Sequence, residues 1–415
     1  MERQKLKIGL FGFGCIGKGL YDVLLHTRGL KAEIANICVK DKNKKRSLPD
    51  EFFTYDKYDI LNDESINVIV ELIDEADAAF EITRYAMQKG KAVVSANKKM
   101  IAEHFNELLE LQRAYNVPFL YEGAACASIP VIRNLEEYYD NDLLNSIEGI
   151  VNGSTNYILT KMYRDNQDYS GALKQAQELG FAESDPTLDV SGYDARYKLS
   201  LLTAHAFGLV VAPEDIFCHG IQSIGKEDLQ YAKEKGYKIK LIARAVKNKN
   251  KLALTVIPQF ISPDDILYNI DDENNGLCVE GVFSDKQFFA GKGAGSYPTG
   301  SAVLSDISAL TYNYRYEYKK LLQESGLQLS SDHILKIYCR YPASVSVLDL
   351  PFEKVIEEYK SQTFNYKTGF VKLSDLQAIG LTQNKDIFIA CLPENHYVVN
   401  ELKFVKEAFS FISVG

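Results

Sequence analysis

The chain has 415 residues, 46% of them hydrophobic and 25% charged, with a net charge of −9. That length supports two or three domains with a large buried core. The acidic balance gives no general attraction for nucleic acid or an anionic membrane, although a local basic cluster can still hold a small phosphate.

Seven cysteines (Cys15, Cys38, Cys126, Cys218, Cys278, Cys339 and Cys391) lie far apart without a CxxC pair, and the six histidines show no metal-ligand spacing. Reduced thiols in a cytoplasmic protein are the expectation. The start MERQKLKIGLFGFG lacks the small-residue cleavage site of a signal peptide. No apolar run approaches the roughly eighteen residues of a transmembrane helix.

LKIGLF, residues 6 to 11, reads as a buried strand. It runs into the turn Gly12-Phe13-Gly14-Cys15-Ile16-Gly17 and then KGLYDVLLHT, apolar at helical spacing. Strands follow at EIANICV (33–39), SINVIVELI (65–73), KAVVSAN (91–97) and VPFLYEG (117–123), with helices at 78–90 and 104–116. This alternation predicts a doubly wound parallel sheet. After Pro130 the pattern changes to helices near 131–138, 155–164, 170–179 and 193–207. Antiparallel strand pairs are then expected across 239–261 and across 276–293.

The fold class expected is α/β: a Rossmann-type doubly wound nucleotide-binding domain (1–130), an α+β domain (131–322) and a small C-terminal α+β domain (323–415). A helix near 298–315 is expected to pack back on the first domain. Strands near HILKIYCRY and DIFIACL mark the C-terminal unit.

Gly12, Gly14 and Gly17 fit GxGxxG directly after a strand and at the opening of a helix. There the bare backbone approaches a pyrophosphate and the helix N-terminus stabilises its charge. One tight turn alone would need a single glycine. Lys40, Asp41, Lys42, Lys44, Lys45 and Arg46 follow the second strand, where an acid would suit the ribose of NAD and a basic cluster the 2′-phosphate of NADP. The bland reading is a solvated basic loop. Lys98 lies just past a strand end in SANKK, the edge at which ligands of such sheets sit; the alternative is a surface lysine.

GFAESDPTLDVSGYDARYK (180–198) crowds Glu183, Asp185, Asp189 and Asp194 before Lys198. A surface i,i+4 pair of Asp194 and Lys198 would be worth only about 0.2–0.5 kcal/mol. That does not explain the three acids preceding it in a loop stiffened by Pro186. GAGSYPTGSAV (293–303) is a second glycine-dense turn before a helix, suited to close approach to a ligand or simply to connection.

Together these blocks resemble the homoserine dehydrogenase family over roughly residues 6 to 312. AQELGFAESDPTLDVSGYDARYK is the most specific, with GLFGFGCIGKG, VVSANKK, GIVNGSTNYIL, YKIKLIARA and GAGSYPTGSAV in family order. The resemblance implies NAD(P)-dependent interconversion of homoserine and aspartate semialdehyde, on the route to threonine, methionine and isoleucine, by a homodimer. It implies catalytic roles for Lys198 and Lys98, with substrate held by Glu183, Asp189, Asp194, Asn152 and Gly153. The cofactor would meet Gly12, Phe13, Gly14, Cys15, Ile16, Gly17, Lys40, Asn97, Lys98, Gly293 and Gly295. A monovalent cation, Na+ or K+, would sit at Glu122 with backbone oxygens near Ala125, Ala127 and Ile129.

The chemistry agrees. Both substrates carry an ammonium suited to carboxylates, and hydride transfer to an aldehyde develops oxyanion charge that a lysine can stabilise or protonate. Acids near Lys198 favour its cation, hence the reductive direction.

Three departures stand against the family pattern. Asp74-Glu75 and Ala127-Ser128 replace glycine pairs, and RYPASVSVLDLPFEKV lacks the turn of an ACT-type regulatory domain. The altered glycines leave room for a related oxidoreductase acting on another amino-acid semialdehyde. A silent nucleotide-binding relative is the reading from another class, but it would have no need of Lys98, Lys198, Glu183 and Asp189 together. With every matched motif before residue 312, the chain beyond about 325 is expected to be dispensable for cofactor binding, provided its removal exposes no core.

Overall fold

The computed structural model describes residues 5–141, 143–323, 326–344, 350–379 and 386–393. Six parallel strands open the chain: β1 (Leu6–Phe11), β2 (Ala32–Cys38), β3 (Phe53–Thr54), β4 (Val68–Glu71), β5 (Ala92–Ser95) and β6 (Phe119–Leu120). They form one sheet in the order β3-β2-β1-β4-β5-β6. Central β1 is apolar on both faces, with Leu6, Ile8, Leu10 and Phe11 all buried, as a strand covered by helices on each side requires. The order reverses beside β1, so the crevice for a ligand opens at its C-terminal end, where Gly12 begins.

The remaining strands build a mixed sheet: β7 (Leu144–Ile150), β8 (Phe217–Cys218), β9 (Lys238–Asn248), β10 (Lys251–Ile261), β11 (Asn274–Gly281), β12 (Asp285–Lys292), β13 (Gln328–Leu329), β14 (Ile334–Pro342), β15 (Lys354–Lys360), β16 (Phe364–Lys372) and β17 (Phe388–Cys391). Its order is β12-β11-β7-β9-β10-β17-β14-β16-β15, with β8 and β13 also pairing β10. The helix Tyr193–Phe207 packs against β9 and β10 and is buried almost all round, which suits a helix enclosed by other elements. It starts at Gly192 and stops at Gly208, both with positive φ (83° and 64°).

Two contacts join the sheets into one site. The helix Ser296–Leu310 lies along the helix Cys15–His26, and a Cβ on Gly19 would stand 2.2 Å from the Ser296 carbonyl oxygen. The helix Lys98–Glu103 meets the helix Tyr193–Phe207, which brings Lys98 to the half that carries Asp194 and Lys198.

The C-terminal strands do not stand alone. Gln259 of β10 pairs with Cys391 of β17, and Phe217, Ala253 and Ile257 share a core with Leu335, Ile337, Val371 and Ile389. Buried Asp228 accepts hydrogen bonds from Tyr338 Oη (3.1 Å) and Arg340 Nε (2.9 Å). Cutting the chain near 325 would uncover that apolar face and leave Asp228 without its cation. The expected dispensability therefore fails its own condition: breaking such a buried pair costs about 3–5 kcal/mol. Residues 345–349 of the RYPASVSVLDLPFEKV stretch and 394–415 lie outside the described residues.

Candidate active site

A cleft of about 1220 Å³ runs from the glycine turn to the acidic stretch. At one end lie Gly12, Phe13, Gly14, Cys15 and Ile16; at the other lie Lys98, Asn152, Gly153, Glu183, Asp189, Asp194 and Lys198, with Gly293 and Gly295 also lining it.

The turn suits a dinucleotide. Gly12 has φ +92°, a Cβ on Gly17 would stand 2.2 Å from the Gly12 carbonyl oxygen, and a Cβ on Gly14 would meet nothing within 4 Å. Gly17 therefore closes the turn by packing and does not line the cleft, whereas Gly14 leaves its backbone open to a phosphate. The helix beginning at Cys15 has no acid in its first turn to repel one. Lys40, Asp41, Lys44, Arg46 and Tyr55 continue the lining beyond β2.

Asp194 is the hub of the other end. Its Oδ2 is 2.6 Å from Lys198 Nζ and its Oδ1 2.9 Å from Lys98 Nζ. Asn152 Nδ2 donates to Asp194 Oδ2 (2.8 Å) and to Asp189 Oδ1 (2.7 Å). The amide is oriented by its other end, because Asn152 Oδ1 accepts the Thr155 N–H and caps the helix Gly153–Arg164. Lys198 Nζ also donates to the Val151 carbonyl (2.8 Å).

Burial alone would raise the Asp194 carboxyl, but the Lys198 and Lys98 ammoniums outweigh it and hold the group well below the usual carboxylate range. Asp194 in turn holds the Lys98 ammonium above its ordinary value. Asp189 moves the other way: burial and the Asp194 charge raise it. One carboxylate is thus fixed as a counter-ion, while its neighbour makes no ion pair among the described residues and lines the cleft.

Of the four acids of the 180–198 stretch, Asp185 alone is absent from the lining; its Oδ1 accepts from the Thr187 N–H (3.1 Å) and hydroxyl (2.6 Å). Asn97 is also absent, with its Oδ1 capping the helix Lys98–Glu103 and its Nδ2 on the Ile73 carbonyl (3.1 Å). Asp74 and Glu75 both line the cleft, yet the Glu75 carboxylate accepts from the Asp77 and Ala78 N–H groups and caps the next helix. Ala127 lines it with φ +49°, the left-handed conformation a glycine adopts freely. Tyr55, Asp56, Lys57 and Tyr58 also line it without any motif to announce them, while Ser154 and Thr299 come from the GIVNGSTNYIL and GAGSYPTGSAV stretches.

A doubly wound domain with an open glycine turn, joined to a second domain that presents lysines and carboxylates, defines a nicotinamide-dinucleotide oxidoreductase. Two family models match, "Homoserine dehydrogenase, NAD binding domain" over 12–122 and "Homoserine dehydrogenase" over 130–308. The chain belongs to the homoserine dehydrogenase family of NAD(P)-dependent oxidoreductases. It is 36% identical over 321 residues to homoserine dehydrogenase of Bacillus subtilis (75% of this chain, 74% of that one). It is 38% identical over 313 residues to that of Synechocystis (73% and 72%). The homoserine dehydrogenase structure from Thiobacillus denitrificans superposes with a TM-score of 0.83 at 27% identity, covering 94% of this chain and 99% of that one. A hyperthermophilic archaeal homoserine dehydrogenase in complex with NADPH gives 0.65 at 25% identity, covering 75% and 99%. Among the described residues no helix is long and apolar enough to cross a membrane.

Proposed function

We propose that this chain interconverts L-aspartate 4-semialdehyde and L-homoserine with Lys198 as the proton-transfer group and Lys98 as the residue that positions the substrate. The observation that carries the proposal is Asp194, held between both ammoniums at the inner end of the cleft. The bound nicotinamide supplies or accepts the hydride. Asp189 and Glu183 receive the substrate ammonium, and the lysines face its carbonyl or hydroxyl oxygen. In reduction Lys198 donates a proton to the developing alkoxide. Asn152 fixes the spacing of Asp189 and Asp194, so the substrate amine and its oxygen are addressed by separate groups.

Two features support use of NADP. Lys40 lines the cleft, and the Arg46 guanidinium is anchored there by the carbonyls of Asp41 (2.7 Å) and Lys44 (2.9 Å) and lies over the Phe53 ring. A basic cluster at this strand end matches a 2′-phosphate. For a monovalent cation, the carbonyls of Ala125 and Ala127 accept no hydrogen bond among the described residues, which suits a ligand role. The Glu122 carboxylate beside them is only partly satisfied by the Ile132 and Arg133 N–H groups (2.9 Å each). Ile129 suits it less, since its carbonyl already accepts from Val131 (2.9 Å). Such an ion would stiffen the turn through which Ala125 and Ala127 line the cleft. A cytoplasmic homodimer completes the reading, with a nucleotide-binding domain at 1–130 and a catalytic and dimerisation domain from 131 whose sheet the strands after 323 extend.

Fluorescence titration with NADPH and NADH, followed by a homoserine oxidation assay, tests it. Cofactor binding with homoserine-dependent turnover is expected. Binding with no turnover would assign the chain to silent relatives, and turnover of a different hydroxy amino acid alone would reassign the substrate.

A further inference from the structure

β4 and β5 pair in parallel and end side by side. Each runs into a loop that lines the cofactor cleft, Leu72–Glu75 after β4 and Ala96 and Lys98 after β5. Between the two loops lies Glu71, the last residue of β4 and fully buried.

Its carboxylate is divided between them. Glu71 Oε1 accepts the Ile73 N–H at 2.7 Å, and Oε2 accepts the Ser95 hydroxyl at 2.6 Å. Ser95 Oγ in turn accepts the Asn97 N–H at 3.1 Å, and Asn97 Nδ2 donates to the Ile73 carbonyl at 3.1 Å. The four bonds close a ring through Glu71, Ser95, Asn97 and Ile73. Asn97 Oδ1, at 3.0 Å from the Met100 N–H, extends the ring to the first turn of the helix that begins at Lys98.

Burying a carboxyl with no cation beside it is costly, and here burial pushes the group up to about 7 against the two hydrogen bonds that lower it. A purely apolar core would place a Val or Leu at such a strand end. A carboxylate can accept from a backbone N–H on one oxygen and a hydroxyl on the other, and so bind two loops at once.

We propose that Glu71 is a positioning residue of the reaction, fixing the cofactor-lining loop 72–75 and the turn 96–97 that leads into Lys98 in one register. The part concerning Lys98 rests on the role proposed for it above; the part concerning the cofactor does not.

The test uses the full chain with Glu71→Ala, Glu71→Gln, Ser95→Ala and the double variant Glu71→Ala/Ser95→Ala. NADPH affinity is read by fluorescence, with kcat and the homoserine KM measured separately. Loss of a hydrogen bond that leaves its buried partner unsatisfied should weaken NADPH binding about tenfold and lower kcat. The homoserine KM should move less than kcat, because Asp189 and Glu183, proposed to hold the substrate ammonium, lie outside the ring and only Lys98 is displaced. The double variant should be no worse than Glu71→Ala, because both changes open the same ring. Glu71→Gln should recover most of the loss, since its amide oxygen still accepts from Ile73 and its nitrogen can donate to Ser95.

If Glu71→Ala does not fold, Ser95→Ala and Glu71→Gln carry the test. Unchanged NADPH affinity and kcat in a folded Ser95→Ala or Glu71→Ala variant would overturn the proposal, as would multiplying losses in the double variant. A Lys98→Ala variant with normal turnover would reject the lysine assignment, while NADPH affinity reads the ring independently of it.

Discussion

Replacing Asp194 with Asn removes one charge and leaves two cations without their shared partner. The two contacts are not equal. The Lys198 side chain is 10% exposed and the Lys98 side chain 40%, so only the first counts as a buried pair. Breaking a buried pair costs about 3–5 kcal/mol, whereas a half-exposed one contributes about 1 kcal/mol or less after solvent screening. Asparagine keeps one acceptor oxygen, which places the expected loss at the lower end, about 3 kcal/mol.

The pH dependence has a definite sign. Asp194 is depressed in the folded chain, so its contribution is complete above the unfolded carboxylate value of about 3.9 and fades as pH falls through the folded value. The stability gap between wild type and Asp194→Asn should therefore be full near neutrality, begin to narrow below about pH 4 and close only as pH falls through the depressed folded value. Lys98, held above its ordinary value chiefly by Asp194, should titrate at lower pH in the variant. Loss of the shared anchor should also displace both ammoniums, and a misplacement near 1 Å lowers kcat/KM about 10²-fold. Thermal unfolding at several pH values and homoserine oxidation across pH supply the readings. A variant with wild-type melting temperature and kcat/KM would refute the clamp.

Ala127→Gly should relieve a left-handed residue and stabilise the chain by about 1 kcal/mol, read as a higher unfolding midpoint. A lower midpoint would show that the local packing of the methyl outweighs the strain. Lys40→Ala should raise the KM for NADP far more than that for NAD; equal effects would place the lysine away from the 2′-phosphate. Because burial and Asp194 raise Asp189, that carboxylate should neutralise at a higher pH than an ordinary one as the solution is acidified. The KM for homoserine should climb there, and an Asp189→Asn variant should lack the step.

The nucleotide half was legible because β1 and the turn after it combine an apolar run, three glycines and helical spacing within a short stretch. The acidic stretch was legible only as a cluster. Its spacing put Asp194 and Lys198 on one helix face, but nothing local distinguished Asp185, which turns back on Thr187, from Asp189, which faces the cleft. β7 escaped notice because LNSIEGI interrupts its apolar residues with Asn, Ser, Glu and Gly, although it pairs with both β9 and β11. The joining of the C-terminal strands to β10 depends on contacts between residues far apart in the chain, such as Arg340 and Asp228, 112 residues apart, which periodicity cannot report. Tyr55 to Tyr58 and the Glu71 ring were hidden for the same reason: each matters through what the fold places beside it.

The central claim is that Lys198 moves the proton, and it is tested most directly by the turnover of Lys198→Ala in both directions. Aspartate semialdehyde reduction and homoserine oxidation should each fall about 10²–10⁴-fold, the scale of a lost acid–base group. NADPH affinity should stay close to wild type, because Lys198 bonds to Asp194 and the Val151 carbonyl and not to the glycine turn. Lys198→Arg should lose oxidation more severely than reduction, since guanidinium keeps the charge but does not give up its proton. Near-full activity of the Ala variant in both directions would contradict the account and leave Lys198 as no more than the buried partner of Asp194.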